Sequence, residues 1–291
     1  MRKKTNLKDP ILAFGRFINV FRRYPWIEKR LLVSKLYVTE YEYTHPDFPA
    51  EPVTLLYVTD IHAGPYFTDQ QSDTLLRVMR KSGCGLILFG GDFGEKPFNG
   101  LEWLSSLPLF PDKEMFMVPG NHDTIKEGDL AKLQAMTEKK GIRMLRNDAV
   151  RMPGGWTLAG LDDFRAGKPD PEKLRGKVKD DPFVLLLSHN PDILPDITPP
   201  FYQLALCGHT HGGQVAIGGK PIFSSSIYRS RFSSGWKEEQ GADVLISNGV
   251  GVSLLPVRIA VRPQVLLVTL RQGEKGHKTI RETEAQHWLR E

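Results

Sequence analysis

Short runs of apolar residues recur along most of the chain and alternate with longer segments in which the apolar residues have helical spacing. The runs are too short for typical helices and continuous enough for strands that are buried on both faces. They are TLLYV (54–58), LILF (86–89), MFMV (115–118), FVLLL (183–187), LALC (204–207), DVLI (243–246) and QVLLVTL (264–270). Two of the intervening segments, one that begins at Asp69 and one that ends at Gly141, predict helices. This alternation predicts an α/β fold with much parallel sheet.

The N-terminal part of the chain has a different pattern. Between Ile11 and Leu32, apolar residues recur at near-helical spacing with arginines between them, which predicts a basic amphipathic helix. The proline-rich segment HPDFPAEP (45–52) marks a link into the region of short apolar runs. We therefore expect an N-terminal basic extension (1–45), one main domain (46–270) and a polar C-terminal tail (271–291) that is frayed or forms a short surface helix.

Charge is unevenly distributed between these parts. The 291-residue chain has a net charge of +5, whereas its first 40 residues alone carry +7, which leaves −2 for the remainder. A helix at 11–32 could bind an anionic membrane surface, or it could pack on the domain with its basic face in solvent. Binding of nucleic acid is disfavoured, because a domain at −2 lacks the broad positive surface that this function needs.

Location is indicated by what the sequence lacks. No uncharged apolar stretch approaches the roughly 18 residues of a membrane-spanning helix, and the N-terminus does not fit a signal peptide. Cys84 and Cys207 lie in apolar surroundings, so we expect reduced core residues rather than a disulfide. These features predict a cytoplasmic protein, which is peripheral on the inner face of the membrane if the basic helix binds lipid.

Candidate chemistry lies at the ends of five of the apolar runs. In open α/β sheets, ligands bind beyond the carboxyl ends of the strands, so we expect the side chains at these ends to meet in one crevice. Taken alone, each motif is weak, because an aspartate can cap a helix and two histidines can belong to a hydrogen-bonded turn. The residues are Asp60 and His62 in DIH, Asp92 in GGD, Asn121, His122 and Asp123 in GNHD, His189 in SHN, and His209 and His211 in GHTH.

Carboxylate, amide and imidazole groups together form a ligand set of intermediate hardness. Such a set suits Mn, Fe, Zn or Ni better than Mg or Ca. The number of candidate ligands is too large for one tetrahedral zinc and sufficient for two cations that share a carboxylate. Asp92 is the natural bridge, because its own motif contains no second ligand.

The ordered motifs DIH, GGD, GNHD, SHN and GHTH, from Tyr57 to His211, resemble those of the calcineurin-like metallophosphoesterase superfamily. The segment at 246–270 resembles the closing segment of a bacterial, often membrane-associated branch of that superfamily. The resemblance implies a four-layer α/β/β/α sandwich. It also implies that Asp60, His62 and His211 bind one metal, that Asn121, His189 and His209 bind a second, that Asp92 bridges them and that His122 faces the substrate.

In some branches of the superfamily, an acidic residue three positions after the bridging aspartate orients the substrate-facing histidine. That position holds Glu95 here. The other interpretation of Glu95 is an exposed carboxylate in a loop.

The resemblance implies a phosphoesterase with two divalent metal ions that hydrolyses a phosphodiester or pyrophosphate bond. A metal-bridging hydroxide is expected to attack phosphorus, and His122 to protonate the leaving group or to stabilise its developing negative charge. Because some bacterial relatives cleave UDP-2,3-diacylglucosamine and the extension is basic, the expected substrate is a membrane-proximal nucleotide-linked lipid. A nuclease or a phosphomonoesterase of the same superfamily is the alternative. A non-catalytic, membrane-bound scaffold is disfavoured, because all seven candidate ligands are present. The identity of the metals and the oligomeric state stay open.

Overall fold

The computed structural model of the protein describes residues 35–49, 51–254 and 256–291. The basic helix predicted at 11–32 lies outside these residues. The strands are β1 (Tyr37–His45), β2 (Val53–Val58), β3 (Leu86–Phe89), β4 (Glu114–Met117), β5 (Ile142–Met144), β6 (Asp148–Arg151), β7 (Thr157–Gly160), β8 (Val184–Leu187), β9 (Leu204–Cys207), β10 (Ala216–Ile217), β11 (Lys220–Pro221), β12 (Gly235–Glu239), β13 (Ala242–Ile246), β14 (Gln264–Gln272) and β15 (Gly276–Glu284). The helices are α1 (Asp69–Lys81), α2 (Pro97–Ser106), α3 (Asp129–Lys139), α4 (Pro171–Val178) and α5 (Ala285–Trp288).

Two large mixed sheets form the centre of the molecule. The first has seven strands in the order β15-β1-β14-β2-β3-β4-β5, and the second has six in the order β12-β13-β9-β8-β7-β6. Strands β2 to β5 run parallel to one another, and so do β7, β8, β9 and β13. The carboxyl ends of the parallel strands in each sheet therefore share one edge.

Three apolar layers separate four layers of secondary structure. The middle layer lies between the two sheets and includes Leu88 of β3 and Leu187 of β8. One outer layer packs α1, α2, α3 and α5 against the first sheet, and the other packs α4 against the second. The α/β/β/α sandwich predicted from the sequence is confirmed.

All seven apolar runs form strands, namely β2, β3, β4, β8, β9, β13 and β14. The helix predicted from Asp69 is α1, which is fixed at its start by a capping box between Thr68 and Gln71. The helix predicted to end at Gly141 is α3, and Gly141 has a φ of 72°, which a glycine adopts without strain.

The chain on both sides of the predicted main domain also joins the first sheet. Strand β1, from the predicted extension, runs parallel to β14, and β15, from the predicted polar tail, pairs antiparallel with β1. The tail is thus an edge strand followed by a short helix rather than a frayed segment. Apolar patterning gave no signal for β15, because most of its residues are exposed and its pairing depends on main-chain hydrogen bonds.

Two further expectations concern the cysteines and the membrane. Cys84 and Cys207 are free and buried, as predicted. Among the described residues, no helix is long and apolar enough to cross a membrane.

Candidate metal centre

The candidate ligands lie in the turns that follow β2, β3, β4, β8 and β9, where the backbone is unusual. Five of them have left-handed φ angles between 46° and 68°, although none is a glycine. Such conformations are strained and cluster at functional sites, where surrounding contacts hold them. These residues are Asp60, His62, Asp92, His209 and His211.

A close approach between the two sheets fixes Asp60. The backbone N–H of His209 donates to both carboxylate oxygens of Asp60, at 3.1 and 3.0 Å, and Thr59 Oγ1 donates to Oδ2 at 2.7 Å. Gly208 makes this approach possible, since a Cβ at that position would lie 2.2 Å from Asp60 Oδ2. The GHTH turn of the second sheet is thus joined to the DIH turn of the first.

One group of side chains forms around Asp60. The Nε2 atoms of His62 and His211 lie 3.0 Å apart, and Asp60 Oδ1 lies 3.3 Å from His211 Nε2 and 3.9 Å from His62 Nε2. All three side chains are buried. They match the first ligand set implied by the sequence resemblance.

A second group forms around His189 and His209. His189 Nε2 lies 3.3 Å from His209 Nδ1 and 3.2 Å from Asp92 Oδ2. The same Asp92 Oδ2 lies 3.5 Å from His62 Nε2, in the first group. Asp92 therefore stands between the two groups, in the position expected for a bridging carboxylate.

The GNHD turn closes the site on a third side. The backbone N–H of His122 donates to Asp92 Oδ1 at 2.8 Å, and the rings of His122 and His62 have centroids 4.8 Å apart. Asn121, the preceding residue, has a buried Oδ1 atom without a hydrogen-bond partner. A buried carbonyl oxygen left unpaired is costly unless a group such as a cation satisfies it.

The spacing of the ring nitrogens fits cations. Two imidazole nitrogens that bind one cation at about 2.0–2.1 Å are held roughly 3 Å apart, as in both histidine pairs here. Oxygen and nitrogen atoms of Asp60, His62 and His211, and of Asp92, His189 and His209, converge in two clusters whose atoms all lie within 4.8 Å of one another. The residues present are thus suited to hold a pair of divalent cations.

Comparison with known protein families agrees with this geometry. Residues 53–213, more than half of the chain, match the family model described as calcineurin-like phosphoesterase. The chain belongs to the calcineurin-like phosphoesterase family. It is accordingly a metal-dependent phosphoesterase, and its family uses a centre of two divalent metal ions.

Two bacterial members of this family are similar over most of the chain. The uncharacterized metallophosphoesterase YkuE of Bacillus subtilis is 28% identical over 224 residues, which cover 73% of this chain and 77% of that protein. The phosphodiesterase YaeI of Escherichia coli is 29% identical over 232 residues, which cover 76% of this chain and 83% of that protein. The solved structure of TT1561 of Thermus thermophilus is 12% identical, with a TM-score of 0.47 over 68% of this chain and 90% of that one.

Electrostatics keep both carboxylates of this phosphoesterase charged. Burial acts to raise the pKa of Asp60 and of Asp92, but His211 beside Asp60 and His189 beside Asp92 hold both pKa values well below the usual range. Burial acts to lower the pKa of His62, yet hydrogen bonds from its ring to carboxylates raise that pKa to about 9. Burial lowers the pKa of His211 to about 4. Without a cation, the centre therefore holds two anionic carboxylates at neutral pH, and the protonated ring of His62 balances part of their charge.

Hydrogen bonds from Nδ1 fix which nitrogen of the His189 and His62 rings faces the centre. His189 Nδ1 donates to the carbonyl of Gly90 at 2.7 Å, and His62 Nδ1 donates to Glu95 Oε2 at 3.0 Å. Because carbonyls and carboxylates only accept here, the neutral form of each ring carries its proton on Nδ1, and its Nε2 atom is then available to a cation. The Glu95 carboxylate thus contacts His62, and only its main-chain carbonyl contacts His122, at Nδ1 and 2.9 Å.

Asp123 belongs to the GNHD motif, and its role is visible only in the structure. Its carboxylate accepts from the backbone N–H groups of Asp92, Phe93 and Gly120 at 2.8–2.9 Å. Burial, together with the neighbouring charge of Asp92, raises the pKa of Asp123 to about 7. Asp123 therefore joins the turn after β3 to the turn after β4, and with them the two motifs that surround Asp92.

Sequence reasoning missed Arg258, which is fully buried behind His211. Its guanidinium donates to the carbonyls of Asn248, at 2.7 Å, and of Gly251, and it lies 3.2 Å from His211 Nδ1. Burial lowers the pKa of Arg258 to about 9. The available signal was an arginine inside an otherwise apolar segment, since a buried charge needs specific partners.

Arg165 was missed as well. It follows β7 in a loop whose backbone N–H groups, from Arg165 and Ala166, bind Asp163 Oδ2 at 2.7 and 2.6 Å. The guanidinium donates to the carbonyl of Ser225, whose hydroxyl donates to the carbonyl of His209 at 3.0 Å. Arg165 is exposed and makes no ion pair with the described residues. Burial lowers the pKa of His209, and the charges of His189 and Arg165 lower it further, so the guanidinium lies near the second histidine pair.

Proposed function

We propose that the protein hydrolyses a phosphodiester or pyrophosphate bond at a centre of two divalent cations that share Asp92. The observation that carries this proposal is the position of Asp92 Oδ2, at 3.5 Å from His62 Nε2 and 3.2 Å from His189 Nε2. A diester or pyrophosphate is preferred to a monoester because YaeI, 29% identical, is named a phosphodiesterase.

The proposed ligands are those implied by the motifs; distances between side chains support the aspartates and histidines, and the unpaired buried oxygen supports Asn121. Asp60, His62 and His211 would hold one cation, and Asn121, His189 and His209 would hold the other. Bound there, the cations would supply a water made nucleophilic at neutral pH and would neutralise charge on the phosphoryl oxygens.

His122 is the proposed acid for the leaving group. Its Nδ1 donates to the carbonyl of Glu95, so its Nε2 is the nitrogen that can deliver a proton. The ring lies against His62 but is only half-buried, which leaves it within reach of a substrate. A protonated Nε2 would donate to the oxygen that leaves phosphorus.

Arg165 is the proposed contact for a second anionic oxygen of the substrate. Its guanidinium is held by Ser225 and lacks a carboxylate partner among the described residues. A guanidinium binds phosphate oxygens well because its N–H groups form a planar fork. A pyrophosphate or a diester would offer such an oxygen beside the phosphorus that reacts.

The proposed substrate is a membrane-proximal nucleotide-linked lipid, such as UDP-2,3-diacylglucosamine. The charge of +7 on the first 40 residues supports a substrate at an anionic surface. The cytoplasmic, peripheral position follows from the same argument. The division of the chain at residues 45 and 270 is proposed from the sequence pattern alone; residue 45 is the last residue of β1, and residue 270 lies within β14.

Two measurements test this function. The full-length protein should lose hydrolysis of bis(p-nitrophenyl) phosphate on chelation and regain it with Mn²⁺, and it should hydrolyse p-nitrophenyl phosphate more slowly. Hydrolysis that persists after verified removal of metal, or a clear preference for the monoester, would contradict the proposal. For the lipid substrate, kcat/KM on UDP-2,3-diacylglucosamine should exceed that on a UDP-sugar without acyl chains; equal values would rule out recognition of the lipid.

A further inference from the structure

Four exposed aliphatic side chains lie on loops that are joined to the GHTH turn or to the residues directly after it. Ile217 is 71% exposed and Leu254 is 78% exposed, and Ile222 and Ile227 are also exposed. We call these four residues the apolar rim. Single exposed apolar side chains are common, but several on adjoining loops mark an interaction site.

Hydrogen bonds join the rim loops to the segment 209–215. The Gln214 side chain donates to the carbonyl of Ser253 at 2.7 Å and accepts from its N–H at 2.8 Å, which places Leu254 directly beside this contact. The N–H of Ile222 donates to the carbonyl of Val215 at 2.9 Å.

The other two rim residues are tied to the same segment. Ile217 belongs to the hairpin of β10 and β11, which begins directly after Val215. Ile227 lies two residues after Ser225, whose hydroxyl binds the carbonyl of His209. The rim therefore borders the metal centre and is held by the same turn that carries His209 and His211.

The charge of the rim loops has one sign. The chain contains no aspartate or glutamate from 197 to 237, or from 244 to 273. Lys220 and Arg229 are exposed and make no ion pair among residues 35–49, 51–254 and 256–291. The carboxylate of Asp192 accepts from the N–H of Ile227, but Asp192 is fully buried. A surface that combines exposed aliphatic side chains with unpaired cations, on loops without acidic residues, is complementary to an anionic lipid bilayer.

We propose that the apolar rim, together with Lys220 and Arg229, is a surface that docks the protein on anionic membranes with the metal centre facing the lipid. Aliphatic side chains enter the boundary between headgroups and acyl chains, while the cations stay at the level of the lipid phosphates. A second copy of the chain fits less well, because two such surfaces would bring unpaired cations together. The docking surface is independent of which phosphorus bond is cleaved and of the segment at 11–32.

Co-sedimentation of the full-length protein with vesicles tests the surface. The vesicles are phosphatidylcholine alone, or phosphatidylcholine mixed with phosphatidylglycerol. The unchanged protein should bind the mixed vesicles, and the double variant Ile217→Asp/Leu254→Asp should bind them at least about tenfold more weakly, because two aliphatic anchors are lost. Lys220→Glu/Arg229→Glu should also weaken binding, with a smaller dependence on salt than the unchanged protein.

The matched control is Leu109→Asp/Ile280→Asp. Leu109 and Ile280 are exposed too, but Leu109 precedes β4 at the opposite edge of the sheet and Ile280 lies in the edge strand β15. This control should bind the mixed vesicles like the unchanged protein, and thermal unfolding should confirm that all variants are folded. Equal binding by the rim variant and the control would overturn the proposal. So would failure of the unchanged protein to bind vesicles, or a dimer in solution that only the rim variant dissociates. None of these results depends on hydrolysis, so the experiment tests the docking surface independently of the proposed function.

Discussion

Glu95 Oε2 lies 3.0 Å from His62 Nδ1, so this carboxylate supports a proposed metal ligand and not the proposed acid His122. The reason lies in the backbone. Ala63 and Gly94 form an isolated parallel bridge, and the N–H of Glu95 donates to the carbonyl of Ala63 at 3.0 Å. The loop after Asp92 is therefore held against the DIH turn, which brings the Glu95 side chain to His62.

Replacing Glu95 with glutamine should weaken metal binding. The amide cannot match the negative charge that orients the His62 ring and makes it more basic, and loss of such a contact costs about 10- to 100-fold in metal affinity or activity. Metal dissociation constants measured by competition with a chromophoric chelator would check this. Glu102→Gln, an exposed change in α2, is the control. Unchanged metal affinity together with slower turnover would instead assign the carboxylate to His122.

Replacing Asp92 with alanine should remove at least one metal and nearly all hydrolysis, because both proposed sites use this carboxylate. Metal content by elemental analysis and hydrolysis of the diester dye give independent readings. Asp112→Ala, which changes an exposed aspartate ahead of β4, should alter neither. An Asp92→Ala protein that retains both metals and full activity would refute the bridge.

Replacing His122 with alanine should leave both metals in place and slow turnover by about 10²- to 10⁴-fold, as loss of a general acid does. The effect should shrink for substrates with a leaving group that needs no proton, such as p-nitrophenolate, compared with those that leave as alkoxides. Comparing the two classes separates a role in proton transfer from a structural one. Equal losses on both would argue against His122 as the acid.

Replacing Arg165 with alanine should raise KM by about tenfold, since a charged hydrogen bond to substrate is lost at an exposed position. Metal content should not change, because Arg165 contacts Ser225 and no proposed ligand side chain. Arg165→Lys should bring KM part of the way back, because lysine restores the positive charge but not the planar fork of N–H groups. A change in kcat alone, with KM constant, would place Arg165 outside substrate binding.

Replacing Gly208 with alanine should destabilise the protein by about 1–3 kcal/mol, as overpacking does, and should weaken metal binding. The added Cβ would lie 2.2 Å from Asp60 Oδ2 and 2.4 Å from Thr59 Oγ1, so the Asp60 carboxylate must move. Gly176→Ala in α4 is the control, because nothing lies within 4 Å of its Cβ and alanine is the better helix former. Chemical unfolding measures the loss of stability, and metal titration measures the loss of metal affinity. A Gly208→Ala protein as stable as the control would contradict the prediction and would show that the two turns can move apart.

The sequence alone determined the central strands and singled out the side chains that are proposed as metal ligands. The reason is local: each buried strand is a continuous apolar run, and each candidate ligand follows its run within a few residues. A parallel sheet then places those ends at one edge, whatever the details of the loops.

Only the tertiary structure decided which side chains meet across that edge. Asp60 is bound by the backbone of His209, 149 residues away, because the two sheets pack face to face. Glu95 reaches His62 because the loop after β3 is held against the turn after β2, and Arg258 lies behind His211 because its loop packs on the GHTH turn; a local pattern of residues predicts neither contact. The pairing of β15 with β1 was also undetermined, because an exposed edge strand is held by main-chain hydrogen bonds that leave no pattern of apolar residues.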